Sequence, residues 1–152
     1  MTSGDPIVRA SWCGTVVFTI CATAGVIAPD QLQWLGFAAS LGLFLVGCAV
    51  FTWAFGLAVR RSRTDEIAVS SLFFLSGSAP PHIRTQLFGS LIVEIIVAFG
   101  TAAARPYTIA ATAILAPMYG LALCGLWAAR HGTFPARQRP EPRRGGRQTP
   151  RK

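Results

Sequence analysis

The sequence predicts an all-α integral membrane protein of four transmembrane helices, arranged as two antiparallel hairpins with both termini cytoplasmic. Three observations predict it. The 152-residue chain is 52% hydrophobic, and its apolar residues gather into four runs, 12–28, 34–59, 86–104 and 107–129. Each run reaches or exceeds the ~17–25 residues that cross a bilayer as a helix. None shows the polar–apolar alternation of membrane barrel strands. Finally, the net charge of +8 is placed asymmetrically. With the N-terminus inside, Arg9, the cluster Arg60, Arg61, Arg63 and Arg84, and the basic residues from Arg130 onward are all cytoplasmic, leaving Arg105 outside. That is the orientation required by the positive-inside rule.

Taken in order, residues 1–11 form a polar cytoplasmic lead, and span 12–28 follows. A basic residue ahead of this apolar stretch, with Ala22-Thr23-Ala24 inside it, also fits a signal peptide. Retention is favoured because the apolar run continues to Ala28 and the next span begins almost at once. Ser11, Thr15, Thr19 and Thr23 repeat every four residues, a slowly drifting stripe along one side of a helix. Each hydroxyl either bonds its own i−4 carbonyl or turns toward a neighbouring helix. Ala28-Pro29-Asp30-Gln31 makes a tight external turn. In span 34–59, Gly36, Ser40, Gly47, Ala54 and Ala58 share one side, where small residues let helix backbones approach closely. Trp12, Trp34 and Trp127 lie near span ends as interfacial anchors, and Trp53 is deeper and expected to pack.

The cytoplasmic loop 60–85 opens with Arg60, Arg61 and Arg63, suited to anionic lipid headgroups. Thr64-Asp65-Glu66 is placed to cap a short helix. Ile67–Leu75 is apolar but only nine residues long, too short to span, and reads as an interfacial or shallow re-entrant segment. A partner-docking segment is the alternative. Spans 86–104 and 107–129 are joined by little more than Arg105-Pro106. In the second of these, Ala110, Ala113, Pro117, Gly120 and Cys124 lie along one side, and Pro117 predicts a kink. Residues 130–152 are basic and rich in Pro, Gly and Gln, the composition of a disordered cytoplasmic tail. No aromatics are interleaved with its charges, so the expected surface is anionic lipid and not nucleic acid.

Glu94 is the residue that needs explaining. A mid-bilayer acid costs about 2.5–3.5 kcal/mol on the insertion scale. Leu91, Ile92, Val93, Ile95, Ile96 and Val97 around it return about 0.3–0.6 kcal/mol each. At 100° per residue Glu94 shares a face with Ser90, Ala98 and Thr101. Phe88, Ile92, Ile95, Ile96 and Phe99 lie opposite, so the acid is expected to point into the bundle or an oligomer interface. Counting from span ends puts Thr19 and Tyr119 at its depth as hydroxyl partners. Together, Glu94, Ser90, Thr101, Thr19 and Tyr119 form the candidate intramembrane polar site.

No second acid or histidine accompanies Glu94, and the phosphate-loop, dinucleotide and nucleophile-elbow patterns are absent. Cys13, Cys21, Cys48 and Cys124 form no CxxC pair and read as packing residues. No catalytic residue, metal or cofactor is expected. Leu72–Arg84 (LFFLSGSAPPHIR) and Ala116–Arg137 (APMYGLALCGLWAARHGTFPAR) resemble small multi-pass membrane proteins of actinobacteria, a family without an established function. That resemblance implies a plasma-membrane location. The four-helix form with one intramembrane Glu is also similar to small multidrug exporters, although that family carries its Glu in the first helix. The expectation is a non-enzymatic accessory or assembly subunit of a membrane complex, with a protein partner or further copies of itself in the bilayer. A small proton-coupled transporter or lipid translocator, acting as an oligomer through Glu94, is the alternative.

Overall fold

The computed structural model describes residues 5–63, 65 and 67–135. The described chain is all-helical, and four of its helical stretches are long and apolar enough to cross a membrane. Helix α1 is Asp5–Ile27, α2 Pro29–Arg61, α3 Val69–Phe73, α4 Pro81–Ala104 and α5 Pro117–His131, the last preceded by a 3-10 segment, Ile109–Leu115. Prolines sit in the first turn of α2, α4 and α5. There a missing N–H costs nothing and the fixed φ already suits a helix.

Around the bundle the order is α1, α2, α5, α4, so each helix packs on two others, and α2 and α4 lie across the longer diagonal. Neighbours α1 and α4 run parallel and in strict register. Ser11 meets Ser90, Thr15 meets Glu94 and Arg105 meets the carbonyl of Val26, every pair 79 residues apart in sequence. The buried residues of α2 are Ser40, Gly47, Ala54 and Ala58, four of the five on its small-residue stripe. At Gly47 the backbones of α2 and α5 touch, because a Cβ there would stand 2.8 Å from the amide nitrogen of Tyr119. Close approach of this kind is how helices associate in lipid.

The fourth span departs from the expected continuous kinked helix. Its first third is 3-10, and the α-helix proper begins at Pro117. The 3-10 segment rises about 2.0 Å per residue against about 1.5 Å in an α-helix. A span of 23 residues, Ile109–His131, is thereby lengthened. Pro117 thus starts a helix inside the span, where the sequence reading has it bending one.

The connection between α2 and α4 folds back against the basic end of the bundle. Leu72, Phe73 and Leu75 are buried there, whereas Val69 and Phe74 are exposed. The Phe73 ring stacks on Phe51 at 4.9 Å and lies against Gly125 of α5, where a side chain would collide with it. Ser78 Oγ donates to Ser71 O, and the Thr133 amide donates to Ser78 O, tying the connection to the chain leaving α5. Leu75 adopts φ 52°, a left-handed backbone that costs a non-glycine residue energy and is held by its complete burial. The short helix begins at Val69 with Ala68 as its N-cap, so Asp65 does not cap it. Asp65 instead pairs with Arg61 at 3.1 Å. Thr64 and Glu66, also expected in that cap, lie outside the described residues, as do the lead residues 1–4 and the expected tail from residue 136.

The tryptophans exchange the roles read from their depth. Trp127 is buried in the core with Trp53 61% exposed, and Trp34 is exposed as an anchor would be. Distance from a span end sets depth but not face. Trp127 lies seven residues after Gly120 and three after Cys124, on the buried side of α5.

Candidate intramembrane polar site

The site is built where α1, α4 and α5 meet. From α4, the buried side chains include Ile83, Leu87, Ser90, Leu91, Glu94, Ala98 and Thr101, while Ile92, Ile95, Ile96 and Phe99 face outward. The helical projection therefore places Glu94 correctly, and its side chain is completely enclosed. Thr15 Oγ1 donates to one carboxyl oxygen at 2.8 Å, and the Gly120 amide donates to the other at 3.2 Å. The acid thus joins three helices. Gly120 lies in the first turn of α5, and its amide points to the carboxyl group. A Cβ at this position would come 2.7 Å from Glu94 Oε2, so any larger residue would push the carboxyl group aside.

One turn toward the basic end, Ser11 and Ser90 meet through their hydroxyls at 2.5 Å. Ser90 Oγ also reaches Leu87 O at 2.9 Å. A hydroxyl has one proton, so Ser90 serves Leu87 and Ser11 serves Ser90. The same counting applies at Thr15, whose Oγ1 lies 2.9 Å from Ser11 O and 2.8 Å from Glu94 Oε1. Both contacts are two-centre hydrogen bonds at once only when Glu94 carries a proton and donates it to Thr15. Tyr119 OH donates to Ala10 O at 2.9 Å, and its ring covers Gly14, which leaves no room for a Cβ.

The predicted site residues therefore divide. Glu94 and Ser90 lie in one connected polar layer. Tyr119 borders it but bonds the backbone of α1 and not the acid. Thr19 donates to Thr15 O at 2.7 Å and does not reach Glu94. The partner is Thr15, one turn earlier, because the 79-residue offset also seen at Ser11–Ser90 and Val26–Arg105 is larger than the offset between the starts of the two apolar runs. Depth counted from those runs slips the register by one turn and sets Thr19 against Glu94; the actual offset sets it against Ala98. Thr101 lies two turns from Glu94, about 10 Å by helical rise. It borders a crevice of about 280 Å³ between α1 and α4, with Thr23, Val97 and Gly100.

Both readings of the hydroxyl stripe apply, to different residues. Thr15, Thr19 and Thr23 each bond an i−4 carbonyl, while Ser11 and Thr15 also reach α4. Sequence reasoning missed Thr15 and Gly120 as partners. A signal was present for Thr15: Ser11 and Thr15 share the four-residue spacing of Ser90 and Glu94, which pairs them in parallel helices.

At the basic end, Arg61 is partly buried and engaged within the protein. Its guanidinium donates to Asp65, to Ala129 O at 3.0 Å and to Gly132 O at 3.1 Å, and it lies over the Phe134 ring. A cation at the C-terminal carbonyls of α5 is favoured by the helix dipole. Arg60 and Arg63 are exposed. No family model, curated protein or solved structure matches the chain.

Proposed function

We propose that this chain is a non-enzymatic accessory or assembly subunit of a membrane complex, located in the plasma membrane with both termini cytoplasmic. The observation that carries the reading is the complete enclosure of Glu94, with both carboxyl oxygens engaged by α1 and α5. An acid held this way pins helices together and presents nothing to a substrate. The outward face of α2 supports an assembly role, because Gly42 and Gly56 have open space where a partner helix would approach. The orientation rests on the positive-inside rule. Arg60 and Arg63 then meet anionic headgroups at the cytoplasmic surface.

The test is affinity purification from mild detergent with identification of co-purifying proteins, using wild type, Glu94→Gln and Glu94→Ala. A defined partner set is expected with wild type and with Gln, whose amide can donate to Thr15 and accept from Gly120. Ala should weaken recovery. A protein that purifies alone as a defined homo-oligomer would overturn the reading. A reporter fused after Lys152 and found outside would overturn the orientation.

One observation favours the proton-coupled transporter or lipid translocator as a second reading. The single Thr15 proton faces two acceptors, an arrangement completed by protonation of Glu94. Under that reading Glu94→Gln folds and assembles but abolishes transport, whereas an accessory subunit keeps its function with Gln.

A further inference from the structure

Between α2 and α5, toward the basic end, lies an open groove of about 240 Å³ lined by Ala49, Val50, Trp53, Leu126 and Arg130. Its walls are apolar except for Arg130. The groove opens on the outward surface of the bundle, with Ala49, Trp53 and Arg130 all exposed. The Arg130 guanidinium lies over the Trp53 ring, 5.9 Å from its centroid. That geometry holds the charge at the rim by cation–π attraction. The one ion pair among the described residues joins Arg61 to Asp65, which leaves Arg130 without a carboxylate. Arg130 is the penultimate residue of α5 and Trp53 lies two turns before the end of α2, so the groove spans the depth from acyl chains to headgroups.

We propose that this groove binds one anionic glycerophospholipid of the leaflet at the basic end, a segment of acyl chain lying along Ala49, Val50 and Leu126 and the phosphate meeting Arg130. The occupant follows from the chemistry. Apolar walls continuous with the bilayer take a hydrocarbon chain, and a lone guanidinium above them takes a phosphate. Trp53 supplies the amphipathic ring that suits this depth. The site is separate from Glu94 and from the diffuse headgroup contacts of Arg60 and Arg63.

The full chain, delipidated in mild detergent, is titrated with phosphatidylglycerol or with phosphatidylcholine of the same acyl chains, and bound lipid is counted by native mass spectrometry. Saturable binding of one phosphatidylglycerol, preferred over phosphatidylcholine, is expected. Arg130→Gln should weaken it about fivefold, the factor corresponding to ~1 kcal/mol for one basic residue at an anionic surface. Ala49→Phe fills the groove with no change of charge and should weaken binding at least as much. Arg9→Gln, at an exposed cation of the same end outside the groove, should stay within about twofold of wild type. Undiminished binding by Ala49→Phe would overturn the site, and equal binding of the two lipids would overturn recognition by charge. A loss in Arg9→Gln as large as that in Arg130→Gln would show general attraction to the surface instead.

Discussion

Gly120→Ala tests whether α5 is fitted to the acid. A Cβ on Gly120 would stand 2.7 Å from Glu94 Oε2, 3.1 Å from Leu91 Cδ1 and 3.4 Å from Glu94 Cδ. The carboxyl group cannot swing away freely, because Thr15 holds its other oxygen and the side chain is enclosed. Overpacking of this kind costs about 1–3 kcal/mol. Alanine returns about 0.8–1 kcal/mol of helix propensity over glycine, so Gly120→Ala should lose between about 0 and 2 kcal/mol in the wild-type background. In Glu94→Ala the two carboxyl atoms are gone, and the same change should become neutral or stabilising by up to ~1 kcal/mol. The four proteins of this cycle are compared by thermal unfolding in one detergent, followed by loss of the monodisperse elution peak. Gly100→Ala, with nothing within 4 Å of its Cβ position, serves as control. A coupling of about 1–3 kcal/mol, with rescue in the double variant, is expected. Effects that add within about 0.5 kcal/mol would refute the fit between Gly120 and the acid.

Four further outcomes are read by unfolding or by proteolysis. Gly47→Ala drives a Cβ into the backbone of Met118 and Tyr119 and should destabilise by at least ~2 kcal/mol. Gly42→Ala and Gly56→Ala meet nothing and should be neutral or stabilising in the same unfolding measurement. Tyr119→Phe removes the bond to Ala10 O and should cost about 0.6 kcal/mol, at most ~1.7, less than Glu94→Ala. Arg61→Ala frees Asp65 and two carbonyls near the end of α5. It should speed trypsin cleavage at Arg63 about fivefold, as expected for an opening made ~1 kcal/mol easier, and an unchanged rate would show that Arg61 does not hold the connection.

Angular position was legible from the sequence wherever one helix face is small and the other bulky. Ser90, Glu94, Ala98 and Thr101 of α4, and Ser40, Gly47, Ala54 and Ala58 of α2, face inward for that reason. Axial register was less legible. Apolar runs set an approximate depth and not the axial offset at which α1 and α4 pack, so counting from the runs moved Glu94 from Thr15 to Thr19. The face of Trp127 and the exposure of Trp53 depend on which helices neighbour them, which hydropathy does not encode. The bonds of Arg61 to Ala129 O and Gly132 O were not legible, because backbone atoms about 70 residues away carry no sequence mark.

The least legible feature, the start of α5 inside the membrane span, also accounts for the acid. Passing from 3-10 to α geometry at Pro117 creates a helix N-terminus away from water, with amides in its first turn and a positive dipole end. A continuous helix would present no such terminus, and an acid opposite it would have only Thr15. At Gly120 the backbone can approach closely enough for Glu94 to accept from its amide. For the ionised form the Gly120 bond of about 0.6 kcal/mol in membrane interiors and up to ~2 kcal/mol from a partly buried helix dipole total at most about 2.6 kcal/mol, since the Thr15 proton given to the acid is withdrawn from Ser11 O. That is comparable to the ~2.5–3.5 kcal/mol cost of placing the acid there. Glu94 and the break at Pro117 therefore stabilise each other across two helices, and the parallel α1–α4 register supplies Thr15 at the matching depth.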